Sequence, residues 1–256
     1  MVKVVKIGGN VIDNEQALRA FVADFAKIQG PKVLVHGGGK IATRLSEKLG
    51  ITTTMIDGRR VTDRQTIDVV TMVYAGLVSK HIVALLQAEG CNAIGLSGAD
   101  ASVIRAVRRA AMPIDFGFVG DISTSGVDAE FILSLIERGI VPVFCSIMHD
   151  GEGELLNCNA DTVASSVAMA LAEKVDTELI FCFEKRGVLT DIDNPNSVIG
   201  TIRSDSYKKL LSEGVVNKGM IPKIDNALKA VSEGVKSVTI KHSEELLVES
   251  GTKILL

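Results

Sequence analysis

The sequence predicts an α/β fold: a three-layer αβα sandwich around a mainly parallel, open central sheet, organised as two lobes. Three observations carry this expectation. Short apolar runs rich in β-branched residues alternate with segments whose apolar residues recur at helical spacing. That βαβα order yields a parallel sheet covered by helices on both faces. The first two runs end in glycine clusters, Gly8-Gly9 and Gly37-Gly38-Gly39, which punctuate strands sharply. Finally, 256 residues, 46% of them hydrophobic, suffice for a substantial core, and no low-complexity linker interrupts them.

Taken in order, Val4-Val5-Lys6-Ile7 is a buried strand that stops at Gly8-Gly9-Asn10. A lysine inside such a run either snorkels from the strand end or points into a polar site. The two glycines let backbone N–H groups come close to an anion. Residues 14–28 form a helix with Leu18, Phe21, Val22 and Phe25 on one face. Pro31 precedes a second strand, Val33-Leu34-Val35, which runs through His36 and Gly37-Gly38-Gly39 into an amphipathic helix over 40–49. Strand, glycine loop and helix together present N–H groups and a helix N-terminus to an anion.

Residues 57–61 turn into a short strand containing Arg59 and Arg60, which by themselves read as a surface pair. Thr62-Asp63-Arg64-Gln65 has capping-box spacing for a helix reaching about residue 89. Its apolar positions are Ile67, Val70, Val73, Leu77, Ile82 and Leu85, and its length suits an interface or the core. Residues 91–96 form a third strand ending at Ser97-Gly98-Ala99-Asp100. Segments 103–109 and 115–122 pair as strands with a basic edge at Arg105, Arg108 and Arg109. A helix over 128–138 and a core strand over 141–146 follow. Residues 149–154 make a polar hairpin tip, and Leu155-Leu156-Asn157 returns. Asn159-Ala160-Asp161 stands in cap position for a helix over 162–174. A smaller unit repeats the pattern: strand 179–183, polar loop 191–197, helix 204–212, turn 214–219, helix 219–233, strand 237–240 and an edge strand over 252–255. The lobes are 1–174 and 175–256, with the sheet continuing between them.

Several function classes lack support. A net charge of −3 gives no basis for nucleic acid or an anionic membrane as the main partner. Cys91, Cys145, Cys158 and Cys182 form no C-x-x-C pair and read as reduced core thiols. The chain opens on a strand, so no signal peptide is expected. The longest apolar stretch, around 140–148, falls short of the ~20 residues that span a bilayer. A cytosolic protein is therefore expected. There is no G-x-x-x-x-G-K-[ST] P-loop, and no convincing dinucleotide fingerprint follows Gly37. Gly95-Leu96-Ser97-Gly98 is not a serine-hydrolase elbow. The four histidines lack ligand spacing, and His36 reads as a structural strand-end residue.

What remains is a set of polar residues at turns that share one sheet edge. Carboxyl ends of parallel strands line up, and the ligand crevice lies beyond them. Lys6, the two glycine loops, Ser97 and Asn157 or Asp161 stand at or near such ends. A lysine beside glycine amides suits a polyphosphate. Phosphoryl transfer asks a protein mainly for positioning and charge stabilisation.

Five motifs occur in the order found in acetylglutamate kinases. They are Lys6-Ile7-Gly8-Gly9, His36-Gly37-Gly38-Gly39, Gly58-Arg59-Arg60-Val61-Thr62, Asn157-Cys158-Asn159-Ala160-Asp161 and Gly219-Met220-Ile221-Pro222-Lys223. On these the chain resembles the amino acid kinase family over essentially its whole length, and Gly117-Phe118-Val119-Gly120-Asp121 is similar to a hairpin of that group. The resemblance implies the amino acid kinase fold, with an N-terminal acylglutamate lobe and a C-terminal nucleotide lobe. It also implies ATP-dependent phosphorylation of the γ-carboxylate of an N-acyl-L-glutamate, acetyl or succinyl, in arginine biosynthesis. Mg²⁺ travels with ATP, and no protein metal site is implied. Lys6 and Lys223 would bracket the transferring phosphoryl group, and Asp161 would orient them. Gly38, Gly39, Arg60 and Asn157 would hold the substrate. Gly8, Gly9, Glu184, Gly187, Val215, Val216 and Asn217 would contact the nucleotide. The carboxylate nucleophile is already ionised, so no general base is needed.

Without the resemblance, Asp161 reads first as an N-cap and Lys223 first as a solvated helix lysine. One segment departs from the family pattern. Where members carry Ser/Thr-Asp-Val-x-Gly, this chain has Phe183-Glu184-Lys185-Arg186-Gly187. The chain also begins without the extra N-terminal helix of arginine-inhibited hexameric members, so a homodimer built around the long helix after Thr62 and insensitive to arginine is expected. Two rivals stay open. One is a kinase of another carboxylate, such as aminoadipate or glutamate on a carrier protein, which a contiguous basic rim would favour. The other is a catalytically silent sensor of nucleotide or amino acid, which only the altered 183–186 segment favours.

Overall fold

A computed structural model describes every residue of the chain except 57, 192 and 213–219. It opens with β1 (Val2–Ile7), α1 (Gly9–Ile12), α2 (Glu15–Lys27), β2 (Lys32–His36) and α3 (Gly39–Lys48). A small hairpin, β3 (Met55–Ile56) and β4 (Arg59–Arg60), leads to α4 (Arg64–Thr71), a π-helical stretch Met72–Val78 and α5 (Ser79–Ala88). Then come β5 (Ala93–Leu96), β6 (Val107–Arg108), β7 (Gly120–Asp121), α6 (Ala129–Glu137) and β8 (Val141–Phe144). The hairpin β9 (Ile147–His149) and β10 (Leu155–Asn157) precedes α7 (Ala160–Ala172) and β11 (Thr177–Phe183). Last are β12 (Thr201–Arg203), α8 (Ser204–Ser212), α9 (Ile221–Ser232), β13 (Ser237–His242) and β14 (Thr252–Leu255).

Among the described residues, eight strands form one sheet in the order β12-β14-β13-β11-β1-β2-β8-β5. The run from β13 to β5 is parallel throughout. Only β14 and β12 run the other way, β14 antiparallel to β13 and β12 parallel to β14. The sheet is unbroken across residue 174, because β11 pairs directly with β1. The expected edge strand over 252–255 is one place inside the edge. Thr201–Arg203 lies outside it, and with only Ile202 buried that strand is too short to show a period in the sequence.

Strand alternation sorts the core into two layers. Val2 and Val4 of β1, Val33 and Val35 of β2, and Phe181 and Phe183 of β11 join the cluster that contains α6, α7 and α9. Val5, Ile7, Leu34 and Cys182 join the cluster with α2, α4 and α5 on the other face. By the same alternation Lys6 belongs to the α7 side. From Val163 to Leu171 every residue of α7 is buried. The small Ala164, Ser165, Ser166, Ala168 and Ala170 let this helix lie close against the sheet while α6 and α9 cover it.

Several local expectations need revision. Asp63, not Thr62, caps the long helix, its Oδ1 accepting the Thr66 N–H at 2.8 Å. Thr62 is fully buried and donates its hydroxyl to the Arg60 carbonyl. The strands over 103–109 and 115–122 reduce to the two-residue ladder of β6 and β7. The helical run Arg64–Ala88, rather than the segment around 140–148, is the apolar stretch long enough to cross a bilayer by length and composition. Here Ile67, Val70, Val73, Ile82 and Leu86 pack it into the core, while Met72 and Leu77 are exposed on its other side. All four cysteines are buried and unbridged.

Candidate active site

Parallel register brings the strand ends to one level. Ile7 pairs with His36 on one side and Cys182 on the other, so Gly8, Gly37 and Phe183 leave the same edge together. One residue earlier, Lys6 projects toward α7. That helix is capped by Asn159, whose Oδ1 accepts the N–H groups of Asp161 at 2.8 Å and Thr162 at 3.2 Å. Asn159 therefore takes the capping role that the sequence left open for Asp161. The Asp161 carboxylate stands free in the first turn, where the helix dipole favours an anion.

Each of its oxygens meets one ammonium group. Lys6 Nζ is 2.7 Å from Oδ1, and Lys223 Nζ is 2.7 Å from Oδ2. Lys223 comes from the first turn of α9, beside Pro222, which suits a helix start. Burial pushes the Asp161 pKa up, but Lys6 and Lys223 override it and hold the carboxyl at about 2. Three groups from β1, α7 and α9, over two hundred residues apart in sequence, thus form one fixed arrangement.

A cleft of about 750 Å³ lies in front of it, lined by Gly38, Gly39, Arg60, Asn157, Asp161 and Lys223 among others. Arg60 is buried and donates to the Gly39 carbonyl at 2.9 Å, Thr43 Oγ1 at 2.8 Å and Thr53 Oγ1 at 3.2 Å. Among the described residues no carboxylate pairs with it, so a buried positive charge faces the cleft without an anion. Asn157 donates its amide to Thr62 Oγ1 at 3.0 Å, and the Thr62 hydroxyl donates onward to the Arg60 carbonyl at 3.1 Å. This relay ties the Asn157 side chain to the Arg60 backbone. Gly117 (φ +73°) supports it, since a Cβ there would lie 2.2 Å from the Thr62 carbonyl oxygen. Gly38 is held to glycine differently: a Cβ would lie 2.9 Å from the Tyr74 ring.

The sequence-predicted nucleotide residues are not gathered in the same way. The Gly8 N–H donates to the Cys182 carbonyl at 2.8 Å, extending the ladder, so it is not free for phosphate as expected. Gly9 opens α1 and faces open space. Glu184 is exposed and does not line the cleft. Gly187 is packed, a Cβ there meeting Thr252 Oγ1 at 2.7 Å and Val198 Cγ1 at 2.9 Å. Val215, Val216 and Asn217 lie outside the described residues. Of the two extra cations, Arg186 donates to Glu245 Oε1 at 2.6 Å and to Asn196 Oδ1 at 3.3 Å. Phe183 turns its ring toward Lys223, with Nζ 5.5 Å from the centroid.

The basic edge is tied up internally. Arg105 donates to the Asp150 carbonyl, Arg108 to the Gly117 carbonyl, and Arg109 to the Asp121 carboxylate. Arg64 and Arg108 sandwich the Phe118 ring, at 4.1 and 4.6 Å. His36 is fully buried, and burial lowers its pKa to about 4 despite a hydrogen bond to the Gly37 carbonyl. Sequence reasoning missed Thr62 as a relay, Tyr74 as the wall behind Gly38, and Phe183 as a neighbour of Lys223. Each of these roles depends on a contact between distant segments.

The chain is similar to known proteins over nearly its whole length. The family model described as the amino acid kinase family matches residues 1–242. An acetylglutamate kinase of Cytophaga hutchinsonii is 51% identical over 245 residues, covering 95% of this chain and 92% of that protein. One from Phocaeicola vulgatus is 49% identical over 251 residues, covering 98% and 97%. Among solved structures, smu.665 from Streptococcus mutans is 30% identical with a TM-score of 0.79, covering 99% of this chain and 98% of that one.

Proposed function

The chain belongs to the amino acid kinase family, and from that premise we propose that it transfers the γ-phosphoryl group of ATP to the γ-carboxylate of N-acetyl-L-glutamate, in arginine biosynthesis. The observation that carries the reading is the lysine–aspartate–lysine arrangement at the mouth of a cleft containing a buried arginine that, among the described residues, pairs with no carboxylate. The relatives at 51% and 49% identity bear the name of that enzyme.

In this reading Arg60 binds the α-carboxylate of the substrate, and Asn157, Gly38 and Gly39 hold its acylamide region. The γ-carboxylate attacks the γ-phosphorus, and the bond to the β–γ bridging oxygen breaks, giving an acyl phosphate and ADP. Negative charge spreads over the transferring group, and Lys6 and Lys223 neutralise it from fixed positions. Asp161 does not touch the phosphate; it holds both ammonium groups where the charge develops. Among the described residues it is the sole carboxylate lining the cleft, and both its oxygens are engaged, so the lining offers no free acid for Mg²⁺. That ion comes with the nucleotide phosphates. The nucleotide is assigned to the strand ends at Gly9, where a Cβ would meet open space, and not to Gly8 or Gly187, whose N–H or surroundings are already engaged. Residues 1–174 form the acylglutamate lobe and 175–256 the nucleotide lobe. A homodimer joined through the exposed side of Arg64–Ala88 accounts for Met72 and Leu77 standing in solvent.

The test is coupled ADP release with N-acetyl-, N-succinyl- and free glutamate, for wild type and for Lys6→Ala and Lys223→Ala. Turnover of the acetylated substrate is expected, with kcat lower by roughly 10²-fold or more in each variant and binding largely kept. No turnover of any acylglutamate by the wild type would overturn the reading. A variant with normal kcat removes that lysine from the site.

A further inference from the structure

We propose that Phe183 is a positioning residue for Lys223, the face of its ring holding the ammonium group against the transferring phosphoryl group. The proposal rests on the kinase reading above and adds a part that reading does not contain.

Three features bring the ring there. Phe183 is the last residue of β11, and strand alternation turns it to the α7 and α9 side, the same side as Lys6. Its neighbour across the strand pair is Gly8, whose missing side chain leaves the space: a Cβ there would lie 3.3 Å from the Phe183 Cβ. The ring is 9% exposed, while the Lys223 side chain is 33% exposed and could extend into water. Instead its Nζ sits 5.5 Å from the ring centroid and 2.7 Å from Asp161 Oδ2. Those two contacts bracket the ammonium group.

A ring face suits this position better than a second carboxylate or a hydroxyl. An acid on that side would cancel the charge that Lys223 must present. A hydroxyl would compete for one of its three N–H donors. The ring quadrupole attracts the cation, leaves its net charge intact and shields one side from water. With Asp161 as the sole anchor, Nζ could swing about a single bond and lose registry with the phosphate, where small displacements cost rate steeply.

The experiment replaces Phe183 by 4-fluoro-, 3,5-difluoro- and 3,4,5-trifluorophenylalanine, which drain the ring face of negative potential at nearly constant shape. Assays use the full-length enzyme with N-acetylglutamate and ATP, and thermal midpoints are recorded alongside. We expect kcat to fall stepwise, roughly three- to tenfold over the series, with both KM values within about twofold and midpoints unchanged. Phe183→Leu should lose at least as much, and Phe183→Tyr should recover part of that loss. A flat fluorination series, a Leu variant with wild-type kcat, or losses that follow the thermal midpoints would each overturn the proposal. A wild-type enzyme with no acylglutamate turnover would remove the kinase reading and this proposal with it, which separates the two failures.

Discussion

Asp161→Asn probes the centre of the site with almost no change in shape. The native carboxylate gives one oxygen to each lysine at 2.7 Å. An asparagine keeps a single acceptor, and its NH₂ group would point at an ammonium, so one lysine must let go. The structure sets the size of the effect. Burial opposes ionisation, yet the two lysines bring the carboxyl from 3.8 down to about 2. At 1.36 kcal/mol per unit, that difference is worth about 2–3 kcal/mol of folding stability at neutral pH. Because the folded pKa is depressed, this stability is present above the unfolded value near 3.8 and disappears as pH falls toward 2. Urea unfolding of both proteins at about pH 6, 4 and 3 should show the gap nearly intact at about pH 4 and reduced to roughly half at about pH 3. The freed lysine should also lower kcat by roughly 10²- to 10³-fold, the usual loss for one charge-stabilising donor. A pH-independent stability gap, or a variant with wild-type kcat, would refute this account of Asp161.

Three further outcomes follow from named contacts. Arg60→Lys cannot reproduce donations to Gly39, Thr43 and Thr53 while also gripping a carboxylate. Steady-state kinetics should show KM for the acylglutamate raised about tenfold or more with kcat less affected; an unchanged KM removes Arg60 from the substrate site. Gly38→Ala puts a Cβ 2.9 Å from the Tyr74 ring, an overpacking that should cost about 1–3 kcal/mol in urea unfolding, and adding Tyr74→Leu should return part of it. Lys32 donates to the carbonyls of Phe25, Ala26 and Ile28 at 2.7–3.0 Å, closing the end of α2. Lys32→Met should therefore lose about 1–3 kcal/mol of stability without altering kcat, and an equally stable variant would show that water satisfies those carbonyls.

The sequence made the sheet and much of the cleft lining legible because their signals are local. The runs before Gly8 and Gly37 have uninterrupted apolar character, and the parallel order follows from the helices between them. Lys6, Arg60, Asn157 and Asp161 sit in ordered motifs, and the structure brings them together around one cleft. What stayed hidden has a physical reason in each case. Thr62 was read as a cap because its spacing fits; the Asp63 carboxylate takes that role, and burial assigns the Thr62 hydroxyl to Arg60 and Asn157. Gly8 looked like a free phosphate donor, but the parallel partner β11 reaches one residue further and claims its N–H. The edge position of Thr201–Arg203 depends on three residues, fewer than any periodicity can register. The apolar helix Arg64–Ala88 escaped notice as a long hydrophobic segment because its charged and polar residues break every continuous run.

The charge count of the lysine–aspartate–lysine group, taken apart from Arg60 in the same cleft, explains why a residue that touches no substrate belongs there. The reaction brings a carboxylate up to a polyphosphate, anion to anion, so positive charge is what the site must supply. Lys6 and Lys223 alone would supply two units, but two ammonium groups in one place repel and drift apart. Asp161 cancels one unit and fixes the geometry of both lysines. A net charge of one, correctly placed, stabilises a transition state better than two that move, because only positioned charge requires no reorganisation as the phosphoryl group transfers. The same count leaves no task for a histidine. An ionised γ-carboxylate, with an ordinary pKa near 4.3, needs no proton removed. His36, at the end of β2, faces the opposite layer of the sheet, and with a pKa lowered to about 4 it stays neutral while the lysines carry the charge.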